Sequence, residues 1–170
     1  KFIFRDRKLS LNGEGKVDLK PYFKIDFNSS LESINTNIFQ QLNELKLSRF
    51  KELIKKMNLH NNLVFKPKRF SSKFIDDFNL KTTLTYGRLT FSKRFLIANS
   101  VFSCHGETNL LEEFPILVFD CLVESQDKRK LLKKFKIDYK NKKEPFNLII
   151  KGYLNIYNNK IRFDLIRMNQ

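Results

Sequence analysis

Tryptophan is absent from the 170 residues, alanine occurs once (Ala98), and there are only five glycines, four prolines, two cysteines and two histidines. Each scarcity excludes something. Five scattered glycines make no loop to cradle a phosphate, and no dinucleotide fingerprint, nucleophile elbow or HExxH motif occurs. A zinc site is short of ligands: Cys104, Cys121 and His105 lack a fourth, and the adjacent Cys104 and His105 point to opposite faces of a strand. No stretch approaches the roughly 20 apolar residues of a membrane-spanning helix.

What is abundant is equally biased. The chain carries 18 Phe, 17 Asn and 24 Lys against nine Arg. Phe, Ile, Asn and Lys have AT-rich codons, so the formal charge of +15 has a genomic explanation before a functional one. Hydrophobic residues are 41% and charged residues 30%, which suits a packed core of one domain rather than disorder.

Alternation with period two dominates. Phe2 to Phe4 reads as a strand. Phe23, Ile25 and Phe27 alternate with Lys24, Asp26 and Asn28, and Leu80, Thr82, Leu84 and Tyr86 with Lys81, Thr83 and Thr85. Arg94 to Cys104 reads as one run with an irregularity near Asn99. In Pro115 to Glu124, Ile116, Val118 and Leu122 lie on one side and Leu117, Phe119, Cys121 and Val123 on the other. Asn147–Leu154 and Lys160–Arg167 pair across the turn Tyr157-Asn158-Asn159. In the final strand Ile161, Phe163 and Leu165 are expected opposite Arg162, Asp164 and Ile166.

Two segments depart from this pattern. Asn37–Asn58 has apolar residues three and four apart, predicting an amphipathic helix or kinked helix pair, with Thr36 and Ser48 as N-cap candidates. Asp127–Phe135 predicts a short helix capped by Asp127, with Leu131, Leu132 and Phe135 inward. Asn58–Lys73 reads as a polar connection. The expected fold class is α+β, a predominantly antiparallel, strongly twisted or curved β-sheet, as one β-rich domain over residues 1–170.

Chemistry is sparse. The best titratable cluster is Cys104, His105, Glu107, Glu112, Glu113, Asp120 and Cys121, but His105 cannot reach its neighbour's sulfur on one strand, and His60 lies in a polar region. No catalytic, cofactor or metal site is therefore expected, and the chain is not read as an enzyme. A hairpin centred near Glu112 and Glu113 would bring Cys104 opposite Cys121; a cross-strand disulfide and two buried thiols both fit, the thiols being the simpler reading. The basic groups at Lys128–Lys136, Lys140–Lys143 and Lys66–Arg69 could neutralise phosphates. Lysine predominates over arginine and no RNP-type or recognition-helix motif is present, so nucleic acid is not expected as a partner. Strands rich in phenylalanine with few helices to cover them leave three outcomes: the sheet folds on itself, packs on a neighbour, or binds lipid.

Four elements carry a family resemblance: the strand end Tyr86-Gly87, the segment Ser103-Cys104-His105-Gly106, the turn Leu110-Leu111-Glu112-Glu113-Phe114-Pro115, and G-x-L-N-I-x-N-N-K-I at Gly152–Ile161. Together they resemble AsmA-like proteins of the alphaproteobacterial type, bacterial envelope proteins related to AsmA/TamB bridge-like lipid transfer proteins. The resemblance covers roughly the second half of the chain. It implies a non-catalytic β-groove in the periplasm that shields phospholipid acyl chains, for phospholipid transport or outer-membrane assembly and homeostasis. It also implies tethering to the inner membrane by an N-terminal anchor of a longer parent chain, of which these residues would be an internal or C-terminal section. Residues expected to line such a groove are Leu84, Phe95, Ile97, Ile116, Val118, Ile150 and Phe163.

Overall fold

The structure is a computed structural model and describes residues 1–5, 9–20, 23–34, 50–65, 75–140 and 143–169, of which 2, 4, 9, 32–34 and 169 are described in backbone alone. Ten strands form a single sheet in sequence order: β1 (Phe2–Arg5), β2 (Leu9–Asp18), β3 (Phe23–Ile34), β4 (Met57–Phe65), β5 (Asp77–Thr85), β6 (Arg88–Ile97), β7 (Ser100–Asn109), β8 (Ile116–Ser125), β9 (Phe146–Asn155) and β10 (Lys160–Asn169). The sheet is open and curved, and every pairing is antiparallel except β3 with β4. Among the described residues two short helices accompany it, α1 (Lys51–Ile54) and α2 (Lys128–Lys134).

The turns explain why neighbours in sequence are neighbours in space. Tyr86-Gly87 joins β5 to β6 with φ of 45° and 96°, and Ala98-Asn99 joins β6 to β7 with φ of 52° and 62°. Two consecutive residues at positive φ make the two-residue turn whose twist matches that of flanking strands. The run expected over Arg94–Cys104 is therefore two strands, and its irregularity is a hairpin. At the far end, the Asn155 side-chain oxygen accepts from the backbone N–H groups of Tyr157 and Asn158 at 3.1 and 3.2 Å, shaping the turn into β10. Such local side-chain acceptors are why Asn favours turns.

Two strands lie where none was expected. In β2, Gly13 and Gly15 occupy positions that would otherwise carry the apolar half of the alternation. In β4, four polar residues (Asn58, His60, Asn61 and Asn62) hide a strand inside the presumed polar connection. Met57 and Asn58 belong to β4, so the helix expected to run to Asn58 ends earlier; within the described residues of that span only α1 is helical, with Phe50 at its N-cap, and 35–49, with Thr36 and Ser48, lie outside the described residues. A parallel partner cannot be reached by a tight turn, and the chain from Ile34 to Met57 serves as the crossover.

Register separates the two faces. One carries Phe78, Leu80 and Leu84 of β5; Leu89, Phe91, Phe95 and Ile97 of β6; and Leu148, Ile150 and Leu154 of β9. The other carries residues such as His60, Thr83, Arg88, His105, Glu107, Asp120 and Lys151. Both helices pack on the apolar face, at opposite ends of the strands. Ile54 of α1 is buried with Leu84 and Leu110, and the Lys51 ammonium donates to the Glu112 carbonyl at 3.0 Å. Leu131 of α2 is buried with Ile97, Val123 and Phe146. The Asp127 carboxylate accepts from the Lys130 N–H at 3.1 Å, the expected cap. Leu131 points inward as expected, whereas Phe135 is exposed because α2 ends at Lys134 and the chain leaves it.

Replacing Ile97, at 3% exposure, by alanine is expected to cost about 2–5 kcal/mol in urea unfolding, while Val118→Ala on the opposite face, at 56% exposure, should stay within about 0.5 kcal/mol.

Candidate apolar binding face

Between the two helix-covered ends, the apolar face is a band two rows deep running across the strands. The first row reads Leu63, Leu80, Lys93, Cys104, Cys121, Ile150 and Ile166 from β4 to β10. The second reads Gly15, Phe27, Asn61, Thr82, Phe91, Gly106, Phe119, Gly152 and Phe163 from β2 to β10. Most of these side chains are half-buried, and at β10 Phe163 and Ile166 are exposed.

In the second row phenylalanine and glycine alternate for a steric reason. A Cβ on Gly106 would lie 2.7 Å from the Phe91 ring and 2.4 Å from the Val118 carbonyl oxygen. One on Gly152 would lie 3.1 Å from the Phe119 ring and 2.2 Å from the Arg162 carbonyl oxygen. The rings of Phe91 and Phe119 thus lean across the neighbouring strand into space that only glycine leaves, and Phe27 does the same over Gly15. The ring of Phe163 meets Phe119 edge-on, with centroids 6.3 Å apart. The first row's neighbour toward α2 holds the stacked pair Phe95 and Phe102, centroids 4.7 Å apart.

Cys104 and Cys121 are direct register partners, 4.1 Å apart at Cα, and are joined in a disulfide. Of the two readings open from sequence, the bonded one holds. The close spacing is that of partners lacking mutual backbone hydrogen bonds, where side chains approach most nearly. The bond occupies the middle of the first row and leaves no free thiol.

The seven residues expected to line one face do not all share it. Leu84, Phe95, Ile97, Ile150 and Phe163 lie on the apolar face, though Leu84 and Ile97 are covered by the helices. Ile116 and Val118 lie on the opposite face, in register with Asn155 and Tyr153. With both sides of β8 apolar, alternation alone does not choose the inward side; pairing with Gly106 and Gly152 puts Phe119 there instead. In β10 the register shifts between Phe163 and Leu165, so Ile166 joins Ile161 and Phe163, and Leu165 moves to the polar side. Sequence reasoning missed Phe91 and Phe119; the glycines beside them in register were the available signal.

The titratable cluster is split between the faces, with Cys104 and Cys121 bonded on the apolar side and His105 in register with Asp120 on the polar side. On the polar face Glu107 pairs with Arg88 and Asp120 with Lys151, each at 2.6 Å. Glu112 and Glu113 lie in the β7–β8 turn, and His60 contacts the Thr83 hydroxyl at 3.4 Å. No group of three or more His, Cys, Asp or Glu is placed to hold a metal among the described residues. Beside α2, Arg129, Lys130, Lys133 and Lys136 surround a hollow of about 760 Å³ that Asp127, Asp138 and Tyr139 also line. Next to it, Lys128 pairs with Glu144 at 3.4 Å, and the Glu144 carboxyl is held below the usual range by the Tyr139 hydroxyl and by Lys128. No helix among the described residues is long and apolar enough to cross a membrane.

Comparison with known proteins yields no match among family models, curated proteins or solved structures.

Gly106→Ala is expected to cost about 1–3 kcal/mol, because the added methyl meets a backbone carbonyl that cannot move aside. Phe91→Ala in the same protein should relieve only the ring contact and recover part of the loss, read as coupling in a double-mutant cycle. Reduction of the disulfide, which closes 17 residues, should lower the unfolding free energy by about 3 kcal/mol, seen as a shift of the denaturant midpoint on adding reductant.

Proposed function

We propose that this domain shields acyl chains: its apolar face solvates lipid tails while head groups remain in water, and no reaction is catalysed. The observation that carries this reading is the apolar band across β4–β10, which neither described helix covers, with Phe91, Phe119, Ile150 and Phe163 on it. A sheet face of this kind must meet something apolar, and an acyl chain meets it without any specific polar partner. Each methylene removed from water contributes about 0.8 kcal/mol, so a few contacts hold a chain and the absence of a tight clamp lets it slide.

The disulfide supports an oxidising compartment, which fits the periplasm. With the resemblance to AsmA-like envelope proteins, the reading becomes a module in phospholipid transport or outer-membrane homeostasis, tethered to the inner membrane by a longer parent chain. The curved groove of that family is the finer form of the open, curved sheet. A second reading, binding of a polyanion such as nucleic acid, rests on the basic hollow beside α2. It requires a mobility shift that weakens steeply with salt.

The protein purified from cells is expected to carry phospholipid detectable by mass spectrometry. Lipid-free protein that also takes up none from liposomes would refute the reading. Phe163→Asp should lower the retained lipid several-fold while changing stability by no more than about 0.5 kcal/mol, since this side chain is 54% exposed.

A further inference from the structure

Of 33 lysines and arginines, a single one, Lys93, lies on the apolar face among the described residues of β4–β9. Its register partners are Leu80 on β5 and Cys104 on β7, and along its own strand Phe91 and Phe95 flank it on the same side. The ammonium sits 5.0 Å from the centre of the Phe95 ring, and no described carboxylate pairs with it. The lysines elsewhere on these strands take the water-facing positions, as Lys81 and Lys151 do. Partial burial lowers the affinity of this amine for its proton relative to an ordinary lysine. A lone cation among apolar side chains costs free energy unless an anion joins it.

The row leading away from Lys93 is apolar throughout. It runs through the Cys104–Cys121 disulfide to Ile150 on β9 and Ile166 on β10. Four strand spacings separate β6 from β10, about 19 Å. An acyl chain reaching half-way through a bilayer's hydrocarbon spans about 15 Å. Charge at one end and a grease-lined track of this length at the other match one kind of molecule.

We propose that Lys93 anchors the carboxylate of a long-chain fatty acid whose tail lies across β7–β10 over the disulfide, Ile150 and Ile166. This rests on the acyl-shielding reading and adds a head-group preference to it. The small carboxylate suits a half-buried amine beside the Phe95 ring, whereas a phospholipid head group is bulkier and favours water. The bond to the ammonium is charge-assisted, the stronger class of hydrogen bond.

Titration of the 170-residue protein with dodecanoate and with dodecanol, followed by calorimetry, separates the possibilities. The acid is expected to bind about tenfold or more tightly than the alcohol. Lys93→Met should remove that preference by weakening the acid alone, with unchanged dodecanol affinity showing that the variant is folded; Lys93→Arg should keep the preference. Equal binding of acid and alcohol by the unaltered protein, or a preference that survives in Lys93→Met, would overturn the anchor and leave acyl shielding standing. Failure of both ligands to bind would overturn both.

Discussion

A sheet buries its apolar side only against a second layer, and the described second layer here consists of two helices of four and seven residues. They cover the two ends of the strands, where Ile54 and Leu131 close separate small clusters. Everything between depends on how side chains on neighbouring strands cover one another. That dependence explains the fold's main features: rings laid across adjacent strands, a covalent bond in mid-face, and apolar side chains left exposed at β10.

The phenylalanine–glycine pairs solve this where no described helix lies over the sheet. A ring that leans over a glycine packs against the backbone of the neighbouring strand, in space a Cβ would otherwise fill. The two rings best placed for this, Phe91 and Phe119, need Gly106 and Gly152 where they are. Scarce glycines are thereby explained by position: three of the five lie in one row, and Gly87 serves a turn.

Much of the architecture was legible in sequence. Alternation located β3, β5, β8, β9 and β10, the Asp127 cap located α2, and hairpin symmetry put Cys104 opposite Cys121. Where strands went unseen, the apolar half of the pattern was broken: Gly13 and Gly15 occupy it in β2, and in β4 Asn61 interrupts the series Met57, Leu59, Leu63 and Phe65. Facing was harder than existence. The choice of Ile116 and Val118 over Phe119 failed because β8 is apolar on both sides, and only its pairing partners break that symmetry. The bulge after Phe163 was likewise invisible, since an extra residue changes facing without changing composition. The family resemblance draws on Tyr86-Gly87, Gly106, the β7–β8 turn and Gly152–Ile161, all of which turn out to be turns or points of close backbone approach.

The single parallel pairing has a consequence for the edges of the sheet. The hairpins β5–β6, β6–β7, β7–β8 and β9–β10 have short connections and can zip together by local contacts, whereas β8–β9 must close over residues 126–145 and β3–β4 over residues 35–56. Until β3 docks, β4 is an open edge to which another strand could add.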